Sequence, residues 1–187
     1  MSRPYHHGNL RAALLDAALA ELAEQGPAAM SLRKVAARAG VTHPAATHHF
    51  GDKGGLLTAV AVDGYRRFAA ALAGAPTFID QGAAYLRFAY EHRPYFEVMF
   101  RPEFLHNDDP ELVAAREAAG EELSAGAGRA SRGGANPDLP LAGWALVHGM
   151  TTLWLAGNLP ARTIDEAEAM FRRSARLLGG RPNAPDG

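Results

Sequence analysis

An all-α fold is what this sequence predicts, on three observations. Apolar residues recur at the three-and-four spacing of helical faces along most of the chain, strand-like alternation and internal repeats are missing, and Gly and Pro punctuate the segments. With 187 residues, 48% of them hydrophobic, the chain can build a sizeable core without staples. It has no cysteine, so disulfides, thiolate metal sites and a cysteine nucleophile are excluded, which suits a reducing cytoplasm. No apolar run approaches bilayer-spanning length, and the N-terminus around His6, His7 and Asn9 lacks a signal-peptide core, so no membrane role is expected.

The opening helix runs from Leu10 to Glu24, with Leu14, Leu15, Ala18, Leu19 and Leu22 along one stripe and Gly26-Pro27 closing it. Ser31 is a good N-cap for a second helix whose Leu32, Val35, Ala36 and Ala39 share a face. Gly40 can take the left-handed conformation that ends it, Val41 plugs the corner, and Thr42 caps a third helix that tolerates Pro44 in its first turn. Helices two and three form a helix-turn-helix.

A third helix of this kind enters a DNA major groove with its N-terminal residues at the base edges, while the second lies across the backbone. His43, Pro44, Ala45 and Ala46 are small enough at the front to let the backbone approach bases. Arg33 and His43 carry donors for base acceptors, and Pro44 and Ala45 suit thymine methyl groups. Thr42, Thr47, His48 and Lys53 suit phosphate, Lys53 lying in the first turn of the next helix. His49 joins this DNA-facing set or packs with Phe50 against the opening helix, the role favoured for Phe50. The arm before the first helix offers Arg3 to a minor groove, against the ordinary expectation that terminal residues are disordered.

Charge follows the same division. The net charge is −1, but up to Arg67 there are eight Lys and Arg against five acids, and beyond it 11 against 15. Five of the eight histidines also lie in the basic portion. Attraction to a polyanion therefore belongs to the N-terminal third.

A longer helix, Asp52 to Leu72, carries Leu56, Leu57, Val60, Tyr65 and Phe68 inward and can act as a lever on the reading head. Thr77 to His92 is helical and aromatic-rich, Arg93-Pro94 breaks it, and a short apolar segment spans Tyr95 to Phe100. Glu111 to Ser124 reads as a charged, mostly exposed helix, and Gly126 to Pro140 as a mobile loop. The last helices are Leu141 to Leu159, apolar almost all round and so buried on two sides, and Ile164 to Leu178, opened by a Thr163/Glu166 capping box. In a chain this small, the second burial is expected from a partner subunit.

The segment Ser31–Leu57 resembles the DNA-binding motif of TetR-type transcriptional regulators: Gly40-Val41-Thr42, His49-Phe50, Lys53 and Leu56-Leu57 stand in the family's order. The family usually has tyrosine at the position of Thr47 and often an acid at that of Gly54; both are missing here. Tyr5-His6-His7-Gly8 with Leu10-Arg11, the stretch Arg87-Phe88-Ala89 to Met99-Phe100, and Trp144 with His148-Gly149 look like the subgroup named for a C-terminal Trp-His-Gly signature. The resemblance implies a homodimer joined through its last two helices, an effector pocket among the preceding ones, a double-stranded operator as partner, and repression as the default.

The organisation expected is therefore a helix-turn-helix DNA-binding domain at 1–55, a helical effector-binding and dimerisation domain at 56–180, and a disordered tail at 181–187. A pocket for an apolar or aromatic effector would draw on Phe68, Tyr85, Phe88, Tyr95, Phe96, Met99, Phe100, Trp144 and His148, with Tyr65 and Phe104 in the same aromatic pool. No metal or other cofactor is expected, because adjacent histidines such as His6-His7 and His48-His49 point apart on a helix and nothing completes a ligand set. The glycines from Gly126 to Gly134 follow no strand and lack a Gly-Lys-Ser/Thr ending, so they form no phosphate cradle. No serine, carboxylate pair or His-acid arrangement has a catalytic context, which leaves a helical carrier, or an enzyme without DNA binding, as the rival reading.

Overall fold

The computed structural model describes residues 7–130 and 137–178. Among these, nine α-helices and one 3-10 turn make up the regular structure, and there is no strand. In order they are α1 (His7–Ala29), α2 (Leu32–Arg38), α3 (His43–Phe50), α4 (Lys53–Ala73), α5 (Phe78–Glu91), α6 (Arg93–Met99), the turn Pro102–Phe104, α7 (Pro110–Ala130), α8 (Leu139–Leu155) and α9 (Ile164–Leu178). Two compact units emerge. One holds the residues up to Arg67 together with His92–Ala118; the other holds Phe68–Glu91 and the chain from Ala119 onward.

Local signals account for most helix ends. Gly26, at φ 70°, breaks α1 just before Pro27, and Gly51, at φ 75°, closes α3. Gly40, also at φ 70°, lets the Val41 N–H reach back to the Ala36 carbonyl at 3.0 Å, so α2 ends in a six-to-one closure. The Ser31 and Thr42 hydroxyls accept from the Lys34 and Ala45 N–H groups, the first-turn donors that would otherwise go unpaired. At α9, Thr163 accepts from the Glu166 N–H at 3.2 Å, and the Glu166 carboxylate accepts from the Arg162 N–H at 2.6 Å. The box is thus shifted by one residue on its return arm.

The expected bounds of two helices are corrected. Helix α7 does not stop at Ser124 but continues to Ala130, so residues 126–130 are helix rather than loop. Glycine's poor helix propensity is overridden by packing: Ala127 is buried, and a side chain at 126 would collide with the Gln81 carboxamide. Residues 131–136 of the expected loop, the Arg3 arm, His6 and the 181–187 tail lie outside the described residues. Helix α8 starts two residues earlier than expected and ends at Leu155 rather than Leu159, because Gly157, at φ 77°, allows the Asn158 N–H to close on the Leu153 carbonyl at 2.8 Å.

In the first unit, Leu14, Ala18 and Leu22 of α1, Val35 and Ala36 of α2 and Leu56, Leu57 and Val60 of α4 are fully buried and supply the core. Helix α6 is fastened there by two tyrosines. The Tyr65 hydroxyl donates to the Met99 carbonyl at 2.7 Å, and that of Tyr95 donates to Asp63 at 2.6 Å. Burial works against the Asp63 charge, yet Tyr95 and Arg67 together hold its carboxyl below the usual range, while burial and the Asp63 carboxylate push Tyr95 up to about 12. In the second unit, α5, α8 and α9 pack on one another around Leu86, Tyr85, Val147 and Phe171.

Candidate functional site

Helix α3 is held by its inner face alone. Ala46 is its one buried residue, at 0% exposure, while His43, Pro44, Thr47, His48 and His49 are exposed and Ala45 is half-buried. The Ala46 methyl is the fully buried anchor, Ala45 and Phe50 are half-buried beside it, and the other side chains of the helix face outward. Thr42 is exposed at the helix start, and the Thr47 hydroxyl is tied back to the His43 carbonyl at 3.1 Å. Phe50 is half-buried, with the Arg11 guanidinium of α1 5.9 Å from its ring centre.

Of the three cations on α2, two are committed to α1. Arg38 reaches Glu21 at 3.0 Å and Glu24 at 2.6 Å, and Lys34 donates to Gln25 at 2.9 Å. Glu21 is almost fully buried, so the Arg38 guanidinium is its necessary counter-charge, and losing it would strand a carboxylate. Arg33 remains exposed, with no ion-pair partner among the described residues. These pairings fasten α2 on α1 and separate Arg33 from the two α2 cations that serve packing. Sequence spacing could not make that distinction.

Lys53 makes two contacts within the first unit. Its ammonium donates to the Ala28 carbonyl at 2.8 Å and lies 5.7 Å from the Phe104 ring centre. The start of α4 is capped by Asp52, whose carboxylate accepts from the Gly55 N–H at 2.8 Å and lies 3.3 Å from His106 Nε2. A Cβ at Gly54 would come within 2.6 Å of the same imidazole nitrogen. The missing acid at 54 thus makes room for His106, and Asp52 supplies the cap.

The nine residues expected at an effector pocket fall into two groups. Tyr95, Phe96, Met99 and Phe100 belong to the first unit, where Phe96 and Phe100 meet edge to face with ring centres 5.2 Å apart, and Tyr65 and Phe100 do so at 6.0 Å. Phe68, Tyr85, Phe88, Trp144 and His148 belong to the second. Phe68 lies 4.9 Å from Tyr85 and 5.2 Å from Phe88, the Tyr85 hydroxyl is hydrogen-bonded to His148 Nδ1 at 2.7 Å, and Trp144 lies 5.8 Å from the His148 ring.

Beside that second group, within the same unit, is a cavity of about 610 Å³. Trp144 is the one expected residue in its wall; Phe78, Gln81, Leu146, Val147 and Phe171 are among those that sequence reasoning missed. One signal was available. Gln81 shares a helical stripe with Tyr85 and Phe88, and a polar residue on an apolar stripe marks a special site.

Burial pushes the His148 imidazole below its ordinary value. The unfolded chain, with an ordinary histidine near 6.5, then takes up the proton more readily than the folded one. Stability from this group is complete above about 6.5 and is lost as the pH falls through the depressed folded value. Thermal melts between pH 7.5 and 5 should show a falling Tm that flattens in His148→Gln, whereas an unchanged slope would remove His148 as its source. Loss associated with Asp63 and Asp80, whose carboxyls are held low, belongs to more acidic solutions.

Residues 14–60 match the family model described as "Bacterial regulatory proteins, tetR family", and residues 78–178, more than half of the chain, match "Tetracyclin repressor-like, C-terminal domain". A protein of unknown function from Rhodococcus sp. RHA1 is 31% identical, with a TM-score of 0.75 over 92% of this chain and 98% of that one. The TetR family transcriptional regulator PfmR from Thermus thermophilus is 23% identical, with a TM-score of 0.63 over 91% and 99%. A tetR-family transcriptional regulator from Streptomyces coelicolor is 20% identical, with a TM-score of 0.68 over 93% and 82%. No curated protein matches. Among the described residues, no helix is long and apolar enough to cross a membrane.

Proposed function

The chain belongs to the TetR family and is a DNA-binding transcriptional regulator, and from that premise we propose that it acts in the cytoplasm as a homodimeric repressor released from a pseudo-palindromic operator by a small molecule. The observation that carries this reading is α3, which buries Ala46 on its inner face with His43, Pro44, Thr47 and His48 turned outward behind the Thr42 cap. Residues 1–55 form the reading head. Arg33 and His43 contact base acceptors, Pro44 and Ala45 meet thymine methyls, and Thr42, Thr47, His48, His49 and Lys53 follow the backbone.

Residues 56–180 bind the effector and dimerise. Dimerisation through α8 and α9 is supported by apolar side chains the single chain leaves uncovered: Leu141 is 62% exposed, Leu153 46% and Leu177 81%. Two reading helices about 34–36 Å apart would fit successive major grooves. An effector that binds better to a conformation with a different separation lowers operator affinity by that difference in binding.

Selection of bound fragments from genomic DNA, followed by mobility shifts at two salt concentrations, tests the reading. A sequence-selected shift that weakens steeply with salt is expected, and its absence at low salt without effector would end the proposal. Lys53→Ala should weaken binding to all sequences by roughly fivefold and reduce the salt slope by about one. His43→Ala and Arg33→Ala should instead change which sequences are preferred. Equal, sequence-blind losses from all three would contradict the assigned roles.

A further inference from the structure

We propose that Arg11 of α1 is a further DNA-contacting residue, whose guanidinium grips a backbone phosphate of the operator beside the C-terminal end of α3. The inference deepens the DNA-binding reading above and rests on it for the placement of the duplex.

The helix on either side of Arg11 is seated in the core of the first unit. Leu10 is 7% exposed and Leu14 0%, while Arg11 itself is exposed between them. Its backbone position is therefore set by packing, and its side chain is left to reach outward. The guanidinium lies over the Phe50 ring, 5.9 Å from the centre, and the His49 imidazole lies 6.3 Å from that same ring. Phe50 is the last residue of α3, and His48 and His49 before it are exposed. Arg11 thus joins the rim of the surface that α3 turns outward, although it comes from a different helix.

The Phe50 ring is a platform that leaves the cation's donors unused. A guanidinium over an aromatic face spends none of its N–H groups there, and 5.9 Å is near the outer limit of about 6 Å for such an attraction. Among the described residues, the Arg11 guanidinium has neither an ion pair nor a hydrogen bond. Residues 1–6, outside the described residues, hold no acid to neutralise it, since the first in the chain is Asp16. Arg38, by contrast, divides its guanidinium between Glu21 and Glu24, and Lys53 gives a donor to the Ala28 carbonyl. Arg11 keeps the whole planar fork of donors that matches two oxygens of a phosphodiester.

The end of α3 is where such a cation is needed. With the N-terminal residues of α3 at the base edges, its last turn lies at the wall of the groove, among the phosphates of one strand. The carbonyl end of a helix carries partial negative charge, which opposes a phosphate. Arg11 sets a permanent positive charge at that end and so turns a repulsive approach into a contact.

The test uses the full chain and a selected operator fragment, with binding read by fluorescence anisotropy over a salt series. Arg11→Gln should weaken binding to the operator and to unrelated duplex alike by roughly five- to tenfold, and lower the slope of log affinity against log salt by about one. Arg11→Lys should keep the slope and lose no more than about threefold. Because Arg11 is exposed, Tm should stay within about 2 °C of the parent in both variants. Uncharged methylphosphonate linkages, placed one at a time through the fragment, locate the contact. One position in each half-site should cost the parent roughly five- to tenfold and cost Arg11→Gln less than about twofold. A salt slope unchanged by Arg11→Gln would overturn the proposal and leave Arg11 as a brace for Phe50, as would methylphosphonate profiles that coincide for parent and variant. A parent chain that binds no duplex even at low salt would remove the operator reading and this contact together, whereas selective binding that keeps its slope without Arg11 would remove the contact alone.

Discussion

Glutamate in place of Ala45 is expected to lower affinity for a selected operator fragment by more than about 100-fold while leaving the fold intact. Ala45 is half-buried in the first turn of α3, next to the buried Ala46 and behind the Thr42 cap that receives its N–H. A carboxylate there adds bulk where the backbone must approach base edges, and it sets a negative charge among phosphates, a juxtaposition that costs several kcal/mol. The same carboxylate sits near a helix N-terminus, where negative charge is mildly stabilising. Tm should therefore stay level or rise, and lost binding could not be blamed on unfolding. Fluorescence anisotropy and thermal melts of Ala45→Glu beside Ala45→Ser provide the check. A glutamate variant that binds within about threefold of the parent would show that α3 does not enter the groove in this orientation.

The reading head was legible because its signals are local. Ser31, Gly40 and Thr42 each set a cap or a left-handed turn within a few residues of themselves, and the helices follow. What escaped depends on residues far apart in the chain. Lys53 gives one of its ammonium N–H groups to the Ala28 carbonyl, and Arg38 is tied to Glu21, pairings no spacing rule reveals. The glycines after Ser124 look like a loop until the Gln81 carboxamide is seen to occupy the notch at Gly126. Aromatic periodicity marked buried faces correctly, but burial and cavity are different properties. Tyr85 is fully buried yet does not line the space, whereas Phe78 and Phe171 do because Gly143 and Gly82 stand opposite them.

That last dependence predicts the largest loss of stability. Gly82 is buried on α5, and an added methyl would overlap the Phe171 ring, itself 3% exposed and unable to swing into solvent. Either α9 is pushed off α5 or the ring leaves its rotamer, and overpacking of this kind costs about 2–3 kcal/mol. Net of the roughly 1 kcal/mol that alanine gains in helix propensity, Gly82→Ala should lower Tm by roughly 2–8 °C for a chain of this size. The gain in helix propensity from glycine to alanine, about 1 kcal/mol, acts in the opposite direction, so a net loss would show that the contact dominates. Phe171→Leu removes the overlapping ring atoms. Alone it should destabilise, since a buried ring is lost, but combined with Gly82→Ala it should cost less than the two losses added, because the methyl fills part of the vacated space. Strict additivity in that double-mutant cycle would mean that Gly82 and Phe171 do not meet in solution, and the α5–α9 seat that shapes the cavity would have to be redrawn.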